Sequence, residues 1–304
     1  MAGCSGHSKN LKFGAADIGG VYYSFASTFT QLADNEIDGY TFETKTTAGS
    51  VANLRLISDG YIDLAIVQAD LLSDAYNATG TFADKKYQKG YKAVASLYTE
   101  CCQIVVRKDS GITGIDDLIN KTVSVGASES GTEKNAEQIL KMSGITDELI
   151  NKVNMDYTEA AEKLKAGEID AFFCTAGTRT EVIGQLSKEC DIRLISLDDK
   201  CIDKMLSAYS LCEKYTIPAG TYNGQDSDVT TIGVKAVLIA KQSLSDDVIK
   251  NVTKTIYEHA DDFKYATSLD ISFDINTAAD GVDIPFHSGA AAYYTERGIN
   301  VLTE

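Results

Sequence analysis

The sequence predicts an α/β protein of two lobes, each a mostly parallel β-sheet flanked by helices. The chain has 304 residues, which is enough for two buried cores. Apolar residues make up 44% and charged residues 24%, as is typical of a folded protein. A third observation is more specific, because a strand and helix pattern occurs twice in the same order.

The first copy of the pattern begins near the N-terminus. Leu11–Ala15 is a predicted strand, and a glycine loop and a helix follow it. The apolar face of this helix consists of Val21, Phe25, Phe29 and Leu32. A Gly-x-Ile-Asp turn at 60–63 then leads into the predicted strand Leu64–Val67. A continuous apolar run of this length is typical of a strand buried on both faces of a parallel sheet.

The second copy begins at the predicted strand Thr122–Ala127. The helix after it has Ala136, Ile139 and Leu140 on one face. A second Gly-x-Ile-Asp turn, at 167–170, leads into the predicted strand Ala171–Phe173. Such units occur in many α/β proteins, and it is their repeated order that indicates two lobes.

The lobes are connected by further predicted strands, at 91–97, 103–107 and 230–240. A predicted helix from Asp246 to about Phe263 then returns the chain to the first lobe. The predicted organisation is a disordered tether over 1–10, lobe 1 over 11–101 and 229–304, and lobe 2 over 102–228. A ligand should close the lobes about a hinge near Cys101 and Thr230.

Composition excludes several classes of partner. The formal net charge is −16 and no Lys/Arg cluster offsets it, so nucleic acid is not an expected partner. No apolar run approaches the length needed to cross a bilayer. We expect a monomer with no cofactor and no metal site. Structural zinc in particular is not expected, because the cysteines and histidines lack ligand spacing.

The first six residues resemble the end of a lipoprotein signal, in which a lipid is attached to the cysteine. Lipid attachment at Cys4 would tether the protein to the outer face of the cytoplasmic membrane; the alternative is a free cysteine in a tail. The six remaining cysteines could form disulfides in an exported protein, but adjacent Cys101 and Cys102, and Cys174 in an apolar run, favour free buried thiols.

Four loops of small and polar residues follow predicted strands, at 17–22, 47–50, 128–132 and 175–178. The first two belong to lobe 1 and the last two to lobe 2. Ligands of parallel sheets bind at such loops, where helix N-termini present free N–H groups. The sequence therefore predicts a cleft for a small, carboxylate-bearing molecule between the lobes.

Simpler roles exist for several of these residues. Ser130 and Glu133 match a capping box, which would make this loop an ordinary helix start. Asp70 could cap the helix that it precedes, and Tyr22 and Tyr98 could pack in a core rather than form a wall of the cleft.

The chain resembles the TAXI group of extracytoplasmic solute receptors, which work with tripartite ATP-independent periplasmic (TRAP) transporters. The matching segments are Gly19–Tyr23, Ala48–Arg55, Asp63–Asp70, Ser96–Glu100, Val125–Glu133, Ile169–Phe173, Gly220–Tyr222 and His287–Tyr294. The chain departs from the family pattern at Ser288, where proline is usual, and at Cys102.

The resemblance implies a type II periplasmic-binding-protein fold, no catalysis, and a sodium-coupled TRAP permease as partner. It also implies glutamate, glutamine, a related amino acid or a dicarboxylate as ligand. The positions onto which a binding role carries over are Tyr22, Ser50, Asn53, Gln68, Asp70, Tyr98, Ser130, Gly131, Thr132, Ala176 and Gly177.

Two other functions are compatible with the same fold. An enzyme would need a nucleophile such as Cys174, or an acid such as Glu100 or Asp70 paired with a histidine. The chain has only His7, His259 and His287, and their contexts favour packing or a tail. A ligand sensor would use the same cleft.

Overall fold

The computed structural model describes residues 9–83, 90–267 and 273–304. Cys4 and His7 lie outside the described residues. No helix in the described ranges is both long enough and apolar enough to cross a membrane.

Within the described ranges, ten strands form one sheet. They are β1 (Lys9–Gly14), β2 (Tyr40–Lys45), β3 (Leu64–Gln68), β4 (Tyr91–Arg107), β5 (Thr122–Ser124), β6 (Asn151–Val153), β7 (Ala171–Ala176), β8 (Ile192–Leu194), β9 (Cys212–Ile217) and β10 (Val229–Lys241).

The α-helices cover the sheet. They are α1 (Val21–Glu36), α2 (Ser50–Ser58), α3 (Ala69–Asn77), α4 (Gly131–Met142), α5 (Tyr157–Ala166), α6 (Glu181–Glu189), α7 (Asp199–Ala208), α8 (Asp246–Glu258), α9 (Ala260–Thr267) and α10 (Ser288–Thr295).

The strand order is β2-β1-β3-β10-β4-β7-β5-β6, with β8 paired to β4 and β9 to β10. The strands β1 to β3 of lobe 1 pair in parallel, and so do β5 to β7 of lobe 2. The long strands β4 and β10 are antiparallel to each other and to β7 and β3, respectively. Both pass from one lobe into the other, so the predicted two-lobe α/β fold is confirmed.

The crossing strands differ from their predicted bounds. The predicted strands 91–97 and 103–107 are one strand, β4, because β10 pairs with it through Tyr98–Cys101. The register of this pairing shifts between Ala236 and Val237 and again between Leu238 and Ile239. Such irregularities bend a strand locally, as a connection between two lobes requires.

Three other predicted elements have different ends. β1 begins at Lys9, so Lys9 and Asn10 belong to the sheet rather than to the tether predicted over 1–10. β5 ends at Ser124, and the residues after it lead to Gly126, whose φ of 96° suits glycine. The predicted helix from Asp246 is divided at His259 into α8 and α9.

The core of lobe 1 packs α1 and α9 against β1. Phe25 on α1 stacks on Phe263 of α9 with ring centroids 4.4 Å apart, and Phe29 meets Phe13 of β1 edge-on at 5.5 Å. Each of these buried rings stabilises the fold by about 1.5–3 kcal/mol. One face of lobe 2 has a separate apolar cluster that includes Ile104, Leu140 and Phe173.

Candidate ligand-binding site

A cavity lies between the lobes, at the carboxyl ends of β1, β3 and β7. Its walls consist of Ala16, Asp17, Gly20, Val21, Tyr22, Ala48, Gly49, Ser50, Gln68, Glu100, Ala127, Ser130, Gly131, Thr132, Tyr157, Thr175 and Ala176. The space free of protein atoms, counted to its open mouth, is about 430 Å³. A cavity of this volume suits a small-molecule ligand.

The N-termini of α2 and α4 meet across the cavity. The N-cap of α2 is Gly49, and a Cβ added to it would lie 3.4 Å from the Cα of Ser130, the N-cap of α4. The Ala52 N–H donates to the Glu129 carbonyl across the cleft at 3.1 Å. Arg55 and Glu129 also form an interlobe ion pair of 2.6 Å between Nη2 and Oε2. The lobes are therefore closed on each other.

First-turn N–H groups of a helix have no partner within the helix, and the helix dipole makes this end attractive to anions. In the described structure, α1 and α2 have no side-chain cap. α4 is capped, because the Ser130 Oγ accepts from the Glu133 N–H at 3.0 Å. The Glu133 carboxylate accepts in turn from the Glu129 N–H, one residue before the position that a capping box requires.

The hydroxyl groups of Ser50 and Thr132, two of the predicted site residues, form hydrogen bonds within the protein. The Ser50 Oγ accepts from the Gln68 N–H at 3.1 Å. The Thr132 Oγ1 accepts from the Thr175 N–H at 3.2 Å and lies 2.6 Å from the Tyr157 hydroxyl, which donates to the Thr175 carbonyl. The Thr132 hydroxyl thus connects α4, α5 and β7. The first-turn backbone N–H groups of these helices remain as donors for an anion.

Glu100 is the most unusual residue of the cavity wall. It lies on β4, is 2% exposed and accepts a hydrogen bond of 2.8 Å from the Tyr22 hydroxyl. Burial raises the pKa of Glu100 to about 8, although hydrogen bonds from Tyr22 and Gln68 act in the opposite direction. Burial between the lobes therefore favours the neutral form of Glu100 at pH 7.

Asp17 is the other acidic residue of the wall. Burial, and then the nearby charge of Asp156, raise the pKa of Asp17 to about 6. Among the described residues, none that lines the cavity is Lys, Arg or His. The cavity thus combines helix N-termini, which attract anions, with carboxyl groups, which attract cations once they are ionised.

Seven of the eleven predicted site residues line the cavity. They are Tyr22, Ser50, Gln68, Ser130, Gly131, Thr132 and Ala176. Gln68 crosses the cleft, because its Nε2 donates to the Asn135 Oδ1 of α4 at 3.0 Å. A Cβ added to Gly131 would lie 2.4 Å from the Gln68 Oε1, so this glycine is required for the close approach.

The other four predicted site residues are Asn53, Asp70, Tyr98 and Gly177, and they are outside the cavity wall. Asn53 joins the end of β1 to β3 beneath the cavity wall. Its Nδ2 donates to the carbonyls of Ala15 and Ile66 at 2.7 and 2.9 Å. Its Oδ1 accepts from the Thr47 hydroxyl. Asn53 is fully buried and acts within lobe 1.

Asp70 is the second residue of α3 rather than its cap, since the N-cap is Gln68. Burial raises the pKa of Asp70 to about 6. Tyr98 is buried beside Glu100 on β4, and burial raises the pKa of its hydroxyl well above the ordinary value. The Gly177 carbonyl accepts from the Thr180 hydroxyl at 2.7 Å.

Sequence reasoning did not assign Glu100 and Tyr157 to the cavity wall. In the sequence, Glu100 stands out only as the end of a segment that resembles the TAXI group and as a possible acid of an enzyme, and Tyr157 lies on α5, outside the four predicted loops. Asp156, which caps α5 and directly precedes Tyr157, is a sequence signal that could have identified a fifth helix start at the cleft.

The residues considered for catalysis are not arranged as a catalytic pair. Cys174 is fully buried, and burial raises the pKa of its thiol well above the ordinary value. The His287 side chain accepts from the Gly289 N–H at the start of α10, and His259 contacts Glu36 and Asp262. Within the described residues there is no group of three or more His, Cys, Asp or Glu side chains suited to a metal ion.

Residues 13–298 of the chain match the NMT1-like family. A similar solved structure is PhnD1 from Prochlorococcus marinus in complex with methylphosphonate, with 12% identity, a TM-score of 0.57, and coverage of 97% of this chain and 93% of that chain. A putative L-cystine ABC transporter from Listeria monocytogenes has 14% identity, a TM-score of 0.54, and coverage of 86% and 94%.

An ancestral arginine-binding protein bound to arginine is similar at 15% identity with a TM-score of 0.53, over 86% of this chain and 98% of that chain. Identities at this level show a shared fold. The chain therefore belongs to the NMT1-like family and has the two-lobe fold of type II periplasmic binding proteins.

Proposed function

We propose that this protein is an extracytoplasmic solute-binding protein that closes its two lobes over a small carboxylate-bearing ligand and delivers it to a membrane transporter. The observation that carries the proposal is the convergence of helix N-termini from both lobes, those of α1, α2 and α4, on one cavity between the lobes. An anion bound there would contact both lobes and would stabilise the closed form.

The available donors are sufficient for a useful affinity. A hydrogen bond to a charged group contributes about 1.5–3 kcal/mol, and a helix terminus adds about 0.3–1 kcal/mol. Micromolar affinity requires about 8 kcal/mol. Two or three N–H groups from α2 and α4 would therefore supply much of the binding energy without an arginine.

The proposed moving bodies are lobe 1 (11–101 and 229–304) and lobe 2 (102–228), with a hinge near Cys101 and Thr230. β4 and β10 are the strands that pass between them. The interlobe bonds from Ala52 to Glu129 and from Gln68 to Asn135 would break when the cleft opens. They are few and polar, as a reversible closure requires.

The transporter is proposed to be a TRAP permease, on the basis of the resemblance to TAXI receptors. We also propose glutamate, glutamine or a related amino acid or dicarboxylate as ligand, and a lipid anchor at Cys4. Two similar structures are those of a putative L-cystine ABC transporter and an arginine-binding protein bound to arginine, which supports a small polar ligand. A non-catalytic role is supported by the burial of Cys174, whose raised thiol pKa keeps it protonated.

Mass spectrometry of small molecules released on denaturing freshly purified protein, followed by calorimetry with the released compound, tests the proposal. We expect a compound with a carboxylate, and X-ray scattering should show a smaller radius of gyration when it is bound. Release of no such compound, together with no binding of glutamate, glutamine or a five-carbon dicarboxylate, would refute it.

The site itself is tested by a pair of glycine variants. Gly131→Val introduces atoms into the space of the Gln68 amide, whereas a Cβ at Gly184 on α6 meets nothing within 4 Å. We expect Gly131→Val to weaken ligand binding at least about tenfold, because the start of α4 can no longer approach Gln68 across the cleft. Gly184→Val should leave ligand binding unchanged. Equal affinities of the two variants would show that the ligand binds elsewhere.

A further inference from the structure

The wall of the cavity contains two buried hydrogen-bond acceptors in addition to its helix N-termini. One is the Glu100 carboxyl group, which is 2% exposed and lies on the crossing strand β4. The other is the Gln68 Oε1, which accepts no hydrogen bond from any described residue, although Gln68 is also 2% exposed. Buried acceptors usually have donors, so this part of the cavity is suited to a ligand group with several N–H bonds.

The titratable groups that interact with Glu100 come from five elements, and none of them is a cation. They are Tyr22 of α1, Asp70 of α3, Tyr98 and Cys101 of β4, Tyr157 of α5 and Cys174 of β7. The nearest lysine on β10, Lys235, is bonded to the Thr99 hydroxyl at 2.9 Å and lies beside Glu213. The described protein therefore supplies no positive charge that would balance an ionised Glu100.

We propose that Glu100 and the Gln68 Oε1 receive the α-ammonium group of a zwitterionic α-amino acid, whose carboxylate lies at the N-termini of α2 and α4. This inference rests on the function proposed above and narrows its ligand class. An ammonium group has three donors and one positive charge. It would satisfy the Gln68 oxygen and supply the missing counter-charge in one step.

A dicarboxylate without an amino group fits the same wall less well. Its second carboxylate would have to lie near Glu100 and Asp17 and could do so only while those groups stay protonated. The two ligand classes therefore differ in the protons that they exchange on binding. An amino acid should ionise Glu100 and release a proton, whereas a dicarboxylate should release none.

Burial raises the pKa of Glu100 to about 8 in the closed form, which makes this difference measurable. An amino acid that ionises Glu100 at pH 7 should therefore release part of a proton per ligand. Asp17, with a pKa of about 6, is mostly ionised at this pH and contributes much less. The amino group of the free ligand is already fully protonated at this pH.

Calorimetry at pH 7 in two buffers of different ionisation enthalpy measures both affinity and proton release. The probes are L-glutamate, L-glutamine and glutarate, which has no amino group. For the parent we expect the amino acid that binds best to bind at least about tenfold more tightly than glutarate. Glu100→Gln should weaken that binding by about 10- to 100-fold and abolish the proton release.

Two further variants separate recognition from folding. Glu100→Asp keeps an ionisable group and should retain proton release at reduced affinity, while Glu148→Gln, at an exposed position, should behave as the parent. Unchanged affinity in Glu100→Gln, proton uptake by the parent, or glutarate binding as tightly as the amino acids would each overturn the inference and leave the proposed function standing. If no probe binds and no carboxylate compound is released, the proposed function has failed and this inference fails with it.

Discussion

Replacement of Glu100 by Gln should change how the stability of the empty protein depends on pH. The pKa of Glu100 rises from the ordinary 4.5 to about 8 on folding, chiefly because the carboxyl group is buried. Between these two values the native protein holds a proton that the unfolded chain has lost. The free energy of unfolding should therefore fall as the pH rises through this window.

The magnitude follows from linkage. Each pH unit within the window changes the free energy of unfolding by about 1.4 kcal/mol. From pH 5 to pH 8 the contribution of Glu100 is thus on the order of 3 kcal/mol, or several degrees in Tm for a chain of this length. Gln has nearly the same shape, can still accept from the Tyr22 hydroxyl and does not titrate, so the variant should lose this part of the dependence.

The assay is denaturant unfolding of ligand-free parent, Glu100→Gln and Glu148→Gln at several pH values. Asp17 and Asp70 also have raised pKa values, of about 6, and act in the same direction, but their effect is common to all three proteins and cancels in the comparison. The advantage of Glu100→Gln over the parent should grow by roughly 3 kcal/mol from pH 5 to pH 8. Parallel curves for the three proteins would refute the proposed state of Glu100.

Three further outcomes are expected. Asn53→Ala should cost about 2–4 kcal/mol in a denaturant melt, because it removes the side-chain donor to the Ile66 carbonyl and one of the two side-chain donors to the Ala15 carbonyl, the other being the Thr47 hydroxyl; a loss below 1 kcal/mol would contradict this role. Thr132→Val should lower the free energy of unfolding by about 1–3 kcal/mol, since the Thr132 hydroxyl connects α4 to Tyr157 and Thr175. It should lower ligand affinity as well. Weaker binding at unchanged stability would instead indicate that Thr132 contacts the ligand directly. The six cysteines of the described residues are free thiols, so melting curves with and without reductant should coincide, whereas removal of a structural disulfide would cost about 2–5 kcal/mol.

Much of the fold could be predicted from local patterns. Apolar runs such as Leu64–Val67 lie within buried strands, and the periodic apolar residues from Val21 to Phe29 lie on one face of a helix, because these patterns depend on backbone geometry alone. Strand ends were less predictable. The continuity of β4 depends on β10, which is more than a hundred residues away in the chain.

Composition and loop pattern alone determined that this is an acidic, two-lobe α/β protein with glycine-rich helix starts at the ends of its strands. Only the tertiary structure decided which of those residues face the cavity. Asn53 and Thr132 lie near the starts of corresponding helices, α2 and α4, yet the first is buried within lobe 1 and the second connects three elements of lobe 2. The properties of Glu100 also arise in three dimensions, because a pKa depends on the water and charge that neighbouring elements exclude or supply, and here those elements come from both lobes.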